Sequence, residues 1–226
     1  MEAGDKNTKF FHLRASQRRK RNRISKLRKP DGLFTENEEE MGAMATQFYR
    51  TLYASEGTTN MDRVLETVPA KVTAVMNEGL LAPFQKDEIK RALFKMFPTK
   101  APGPDGLPAH FFQRHWEICG DEVTAVVLRV LRGEDDPSAI NNTCIVLIPK
   151  VESPEELGQF RPISLCNVIY KIASKVMANR LKEVLPEIIS EQQSAFVPGR
   201  LITDNIITAY KCMHFMKKKR ARDLRS

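Results

Sequence analysis

Residues 98–108 read Pro98-Thr99-Lys100-Ala101-Pro102-Gly103-Pro104-Asp105-Gly106-Leu107-Pro108, with four prolines and two glycines in eleven residues. Proline locks φ and lacks an amide donor, so this stretch cannot be helix or strand. The chain must therefore place a stiff loop near its middle and build its core from elements on either side. The two glycines leave points on the loop where another backbone or a ligand can approach closely.

Periodicity locates the flanking elements. Residues 5–21 predict a short basic helix. A basic β-hairpin follows, turning at Lys29-Pro30-Asp31-Gly32, where proline is preset at the second turn position and glycine closes it. Met41, Met44, Ala45, Phe48, Tyr49 and Leu52 fall at helical spacing, as do Ile89, Ala92, Leu93, Met96 and Phe97, which predicts core helices over 36–54 and 85–97. Residues 109–132 predict one long helix stopped by Gly133. The apolar, β-branched run Thr143–Pro149 predicts a buried strand, with 160–164 returning as its partner and Pro162 at an edge or strand end.

The clearest amphipathic helix is expected over 166–188. Leu165, Ile169, Ile172, Ala173, Val176 and Val184 form its apolar stripe, and Lys171, Lys175 and Lys182 lie opposite. Arg180 falls inside the apolar stripe, so it either pairs with a carboxylate or faces a groove. A last helix, capped by Thr203 or Asp204, is expected to turn Ile206, Ile207, Tyr210, Met213 and His214 inward before Lys217-Lys218-Lys219-Arg220.

The net charge of +8 is unevenly placed: residues 1–30 hold eleven basic and two acidic residues, and 211–226 hold seven and one, leaving an acidic middle. Basic ends point to a polyanion, nucleic acid first and an anionic membrane surface second. No window is long and apolar enough to span a bilayer, and the start lacks a signal-peptide pattern, so an intracellular protein without a membrane partner is expected.

Cys119, Cys144, Cys166 and Cys212 are too scattered for a disulfide framework or a zinc ribbon. His110, His115 and Cys119 come nearest to a metal cluster but lack a fourth ligand, and Asp135-Asp136 reads as a solvated turn, so no metal site is expected. Phosphate-loop, zinc-protease, nucleophile-elbow and dinucleotide motifs are absent. What remains is a set of loop-borne cations, Lys100, Lys150, Arg161 and Arg200, of the kind that suits a triphosphate or a nucleic-acid backbone.

The order of motifs is more specific than any one of them. Lys100-Ala-Pro-Gly-Pro-Asp-Gly106, Ile148-Pro149-Lys150, Phe160-Arg-Pro-Ile-Ser-Leu165 leading into Tyr170-Lys171-Ile172, Ala178-Asn-Arg-Leu181, and Gln193-Ser-Ala-Phe-Val-Pro-Gly-Arg200 with Asp204-Asn205-Ile206 follow one another along the chain. This succession resembles the reverse transcriptase of non-LTR retrotransposons, especially those common in plant genomes. Gly4-Asp-Lys-Asn-Thr-Lys-Phe-Phe-His12 and the basic hairpin are similar to the segment joining that family's endonuclease to its polymerase.

The resemblance implies an α+β, mostly helical fold. It would comprise a basic linking segment over 1–35, a helical N-terminal extension over 36–142 and a partial fingers region of a right-hand polymerase over 143–226. It also implies roles. Lys150 and Arg161 would contact the triphosphate of the incoming dNTP. The loop from Lys100 to Gly106, with Gly103 and Asp105, would lie over the template. Gln193, Phe196, Gly199 and Arg200 would line the template or nucleotide pocket. Arg18, Arg19, Lys20 and Arg21, within the basic stretch 14–29, would bind template RNA or the RNA–DNA or DNA duplex.

The family holds two Mg²⁺ ions on palm aspartates, including a Tyr/Phe-x-Asp-Asp turn that these 226 residues do not contain. The chain is therefore expected to be inactive without the palm and thumb of the same polyprotein, and to reside in a nuclear or cytoplasmic ribonucleoprotein. A free-standing nucleic-acid-binding module and the product of a decayed element are the alternative readings.

Overall fold

The computed structural model describes residues 9–59, 61–195 and 197–223. The chain folds as two compact units that interleave along the sequence. One comprises Met1–Met61 with Thr143–Cys166, the other Asp62–Asn142 with Asn167–Ser226.

The first unit begins with α1 (Lys9–Asn22) and a short hairpin of β1 (Leu27–Arg28) and β2 (Phe34–Thr35). Its turn is the expected one. Gly32 takes φ 87°, which a residue with a Cβ resists, and the Asp31 carboxylate accepts from the Leu33 amide at 2.9 Å. Next comes α2 (Glu38–Leu52), whose Asn37 side chain accepts from the Glu40 amide at 2.9 Å, with Glu38, Glu39 and Glu40 set against the positive end of the helix dipole. Later in the chain, β3 (Thr143–Pro149) and β4 (Phe160–Cys166) pair antiparallel, Leu147 facing Pro162 and Ile148 facing Arg161.

Leu27, Met41, Leu157 and Phe160 form this unit's core. The Arg28 amide donates to the Glu155 carbonyl at 2.7 Å, and the Glu155 carboxylate takes Arg28 and Lys26 as ion partners. The Arg28 hydrogen bond, with Lys26 beside it, holds that carboxyl below its ordinary range.

The second unit is helical: α3 (Met61–Leu65, at the boundary), α4 (Ala74–Leu81), α5 (Lys86–Phe94), α6 (Ala109–Arg114), α7 (Trp116–Leu131), α8 (Val168–Ile188) and α9 (Ile202–Asp223). Ile89, Ala92, Leu93, Phe112, Trp116, Val127, Ile172 and Val176 meet in its core. Each fully buried aliphatic side chain contributes about 1.5–3 kcal/mol by leaving water. Packing is tight at Gly120, where a Cβ would come within 2.8 Å of the Trp116 ring.

Arg180 on α8 resolves to the carboxylate partner. Its Nε and Nη2 each donate to Glu88 at 2.8 Å in a two-pronged pair, with the side chains 12% and 19% exposed. Its remaining donors reach the carbonyls of Leu80, Ala82 and Pro83, and its guanidinium lies 3.8 Å from the centre of the Phe84 ring. One residue thereby fixes the end of α4, the linker and the start of α5 against α8.

Several expectations need correction. The helix over 109–132 is two helices, broken at His115 (φ −106°, ψ 22°); periodicity does not register a single irregular residue between two buried turns. The strand over 143–149 is not buried: Ile145 and Val146 are 44% and 36% exposed. A hairpin paired with no third strand among the described residues cannot cover both faces of such a run. Ile206, Ile207, Tyr210, Met213 and His214 on α9 are exposed rather than turned inward, because no described element covers them. Asp204 accepts from the Leu201 amide at 3.2 Å, so it sits inside the first turn of α9 instead of ahead of it. Helices α3 and α4 have no counterpart among the expected elements, and residues 5–8 of the first helix lie outside the described residues.

Bonding to Arg180 lowers the Glu88 pKa below its ordinary value of 4.5. A depressed carboxylate contributes stability that is fully present above the unfolded value and lost as pH falls through the folded one. In urea unfolding followed by Trp116, the single tryptophan, Glu88→Gln is expected to lose about 3 kcal/mol at pH 7. The gap to the parent should be unchanged between pH 5.5 and 7 and should close progressively below pH 4.5.

Candidate nucleic-acid interface

In the first unit, the β3–β4 hairpin presents the two cations expected at a triphosphate. Phe160 enters the core, so Arg161, the next residue on β4, points to the opposite face and is exposed. It has no hydrogen-bond or ion-pair partner among the described residues. Lys150 follows β3 directly. Its amide donates to the Gln159 carbonyl at 2.8 Å and its ammonium to the Gly158 carbonyl at 2.7 Å, which anchors the lysine while leaving it exposed with donors to spare.

Arg18, Arg19, Lys20 and Arg21 lie along the last turns of α1, all exposed. Cations are favoured there by the negative end of the helix dipole. The hairpin cations Lys26 and Arg28 are instead partly neutralised by Glu155. The uncommitted positive charge of this unit thus lies on Arg18–Arg21 and on the β3–β4 hairpin rather than on the β1–β2 hairpin.

In the second unit, the proline-rich loop is tied down at named points. Gly106 takes φ 71° and its amide donates to the Gly103 carbonyl at 3.1 Å, while the Asp105 carboxylate accepts from the Leu107 amide at 3.0 Å. Helix α8 holds the loop from outside. The Asn167 side chain accepts from the Asp105 amide at 3.3 Å, and Lys171 donates to the Ala101 carbonyl at 3.2 Å. Lys100 stays exposed, 5.8 Å from the centre of the Phe97 ring.

The segment from Gln193 to Arg200 closes the far end of α8. Arg200 donates to the carbonyls of Pro186 and Ile189, groups that the end of α8 leaves without helical partners, and to those of Ser190 and Gln193 in the loop beyond. Its guanidinium is therefore committed to fixing the loop, whose exposed tip is Gly199 at φ 78°. Gln193 is exposed, and its side-chain amide reaches the Ala195 carbonyl at 3.4 Å. Phe196 lies outside the described residues.

The described residues do not fit a magnesium pair. Among them, no group of three or more histidines, cysteines, aspartates or glutamates is placed to hold a metal ion. Asp135 pairs with Arg129 at 2.8 Å, and Asp136 accepts from the Ser138 amide and hydroxyl, bonds that hold its carboxyl below the ordinary range. The Cys119 thiol donates to the His115 carbonyl at 3.2 Å. No described helix is long and apolar enough to cross a membrane.

Residues 148–223 match the reverse transcriptase (RNA-dependent DNA polymerase) family. The chain is 31% identical over 95% of its length to the transposon TX1 uncharacterized 149 kDa protein of Xenopus laevis. It is 29% identical over 72% to the Pol polyprotein of type-1 retrotransposable element R2 of Bradysia coprophila, and 24% identical over 80% to a probable RNA-directed DNA polymerase from transposon BS of Drosophila melanogaster. It spans 16%, 18% and 20% of those relatives. The chain belongs to the reverse transcriptases of non-LTR retrotransposons.

The sequence motif marks the loop but carries no sign of what holds it. Asn167 stands where an N-cap is expected, directly before Val168, which was a usable signal, yet its side chain serves Asp105 rather than its own helix. The variant Asn167→Ala with Lys171→Gln is expected to free the loop. Limited trypsin digestion read by mass spectrometry should show cleavage after Lys100 several-fold faster than in the parent, with the melting temperature of the core nearly unchanged.

Proposed function

We propose that this chain forms the template- and nucleotide-facing part of a non-LTR retrotransposon RNA-directed DNA polymerase. In this reading α1 binds the backbone of template RNA or of its duplex with the primer strand. Lys150 and Arg161 receive the triphosphate of the incoming dNTP, offsetting negative charge. The Lys100–Gly106 loop, held by Asn167 and Lys171, lies along the template. Gln193, Phe196 and Gly199 sit at a template or nucleotide contact to which Arg200 contributes by holding the loop. Such a protein would work in a nuclear or cytoplasmic ribonucleoprotein.

The observation that carries the reading is the pairing of Ile148 with Arg161. It sets Arg161, whose guanidinium has no partner among the described residues, on the same hairpin as Lys150 and two residues along the register from it, inside the family match. Arg binds phosphate oxygens in pairs and Lys supplies a point charge, so together they suit a triphosphate better than a neutral ligand.

Catalysis of strand extension belongs, in this proposal, to carboxylates outside these residues. The two Mg²⁺ ions of the family have no donor set among the described side chains.

Two measurements test the reading. RNA affinity followed by fluorescence anisotropy should fall steeply with salt, and replacing Arg18, Arg19, Lys20 and Arg21 by Gln should flatten the log–log slope by up to about 0.7 per lost contact on single strands. Binding that ignores both salt and substitution would remove the role of α1. Separately, residues 1–226 given primed RNA, dNTPs and Mg²⁺ are expected to leave the primer unextended, and extension would overturn the assignment of catalysis elsewhere.

A further inference from the structure

The lysines opposite the apolar stripe of α8 do more than keep that face wet. Lys171 is drawn to the loop, but Lys175 and Lys182 line a groove of about 420 Å³ together with Arg91 and Lys95, at the end of α5. Lys175, Asn179 and Lys182 follow at spacings of four and three on one helix, and Arg91 and Lys95 at a spacing of four on the other, so each set shares a face. The groove therefore has a cationic wall on each side, with the Asn179 amide between the two lysines of the α8 wall.

The anions that could neutralise it are spent or few. Glu88 lies in the groove, but its carboxylate is held by Arg180. Glu183 is the other acid on the lining. None of Arg91, Lys95, Lys175 and Lys182 forms an ion pair among the described residues; Arg91 spends only its Nε, on the Asp87 carbonyl at 3.3 Å. Like charges gathered on a concave surface concentrate positive potential and draw an anionic ligand. The groove lies within the second unit, built by helices whose mutual packing Arg180 fixes, so its shape is preset.

We propose that this groove is a second phosphate-binding surface, taking the sugar–phosphate backbone of RNA, with Arg91, Lys95, Lys175 and Lys182 on the phosphates and Asn179 on a sugar or phosphate oxygen. The inference rests on the nucleic-acid reading above and adds a site separate from α1, Lys150 and Arg161. It binds backbone without reading sequence, since every group assigned to it meets phosphate or sugar.

The test uses the 226-residue chain carrying Arg91→Gln, Lys95→Gln, Lys175→Gln and Lys182→Gln. Glutamine keeps part of each stem, and the melting curve should match the parent. A labelled single-stranded 20-mer and a labelled RNA duplex are titrated across a salt series. For the 20-mer, the slope should fall by up to about 3, at about 0.7 per contact, with at least a tenfold loss of affinity near physiological salt. The probe that loses more identifies the bound form of the backbone. Unchanged slope and affinity with both probes, while Arg18, Arg19, Lys20 and Arg21→Gln still weakens binding, would overturn the groove and leave the broader reading standing. Failure of the parent to bind either probe would overturn both. A polyglutamate peptide that displaces RNA from the α1 variant at equal charge concentration would show a generic anion sink and also overturn the proposal.

Discussion

A guanidinium set into the apolar side of a helix is tolerable only if nearly every donor finds an acceptor. Arg180 meets that condition with one carboxylate, three carbonyls and an aromatic face. All its partners lie between residues 80 and 88, so satisfying the charge also determines where α4 stops and α5 starts relative to α8. Because Glu88 is consumed in this way, the cations beside it have no carboxylate of their own. A stabilising contact and an unneutralised surface thus share one cause.

Helix α8 repeats the device along its length. Near its start, Asn167 and Lys171 hold the proline-rich loop; in its middle, Arg180 holds the α4–α5 connection; at its end, the carbonyls of Pro186 and Ile189 are taken by Arg200. In each place a polar side chain ties an irregular segment to the helix through backbone groups, from the helix to the segment in the first two and from the loop to the helix end in the third. Such segments have few apolar contacts to order them, and directed hydrogen bonds supply the order instead. Loops positioned on a rigid helix are the arrangement expected where a ligand must be met in a defined geometry.

Much of this could be read in advance, and the misses share a character. The stripe of α8, the Lys29–Gly32 turn and the antiparallel return at Phe160 depend on local pattern and were legible from it. Arg180 was recognised as a misfit, but its partner lay 92 residues away and had no local sign. The strand over 143–149 looked central because its composition is apolar; how many strands join a sheet is not written in one strand. Arg200 looked like a free cation at a loop tip because helix-end carbonyls are invisible as acceptors until the chain turns back on them. Of the side chains that hold the loops, Lys171, Arg180 and Arg200 lie inside the family motifs and Asn167 lies between two of them, yet nothing in the motifs themselves shows what each side chain binds.

The interleaving of the two units has a consequence for the order in which the chain can fold. Residues 1–61 complete their core only with Leu157 and Phe160, which emerge after the whole of 62–142 has been made. At about 5–20 residues per second, that is a wait of roughly ten seconds on the ribosome. Through that interval Leu27 and Met41 lack their packing partners Leu157 and Phe160, so the apolar face they share stays uncovered until the β3–β4 hairpin has been made.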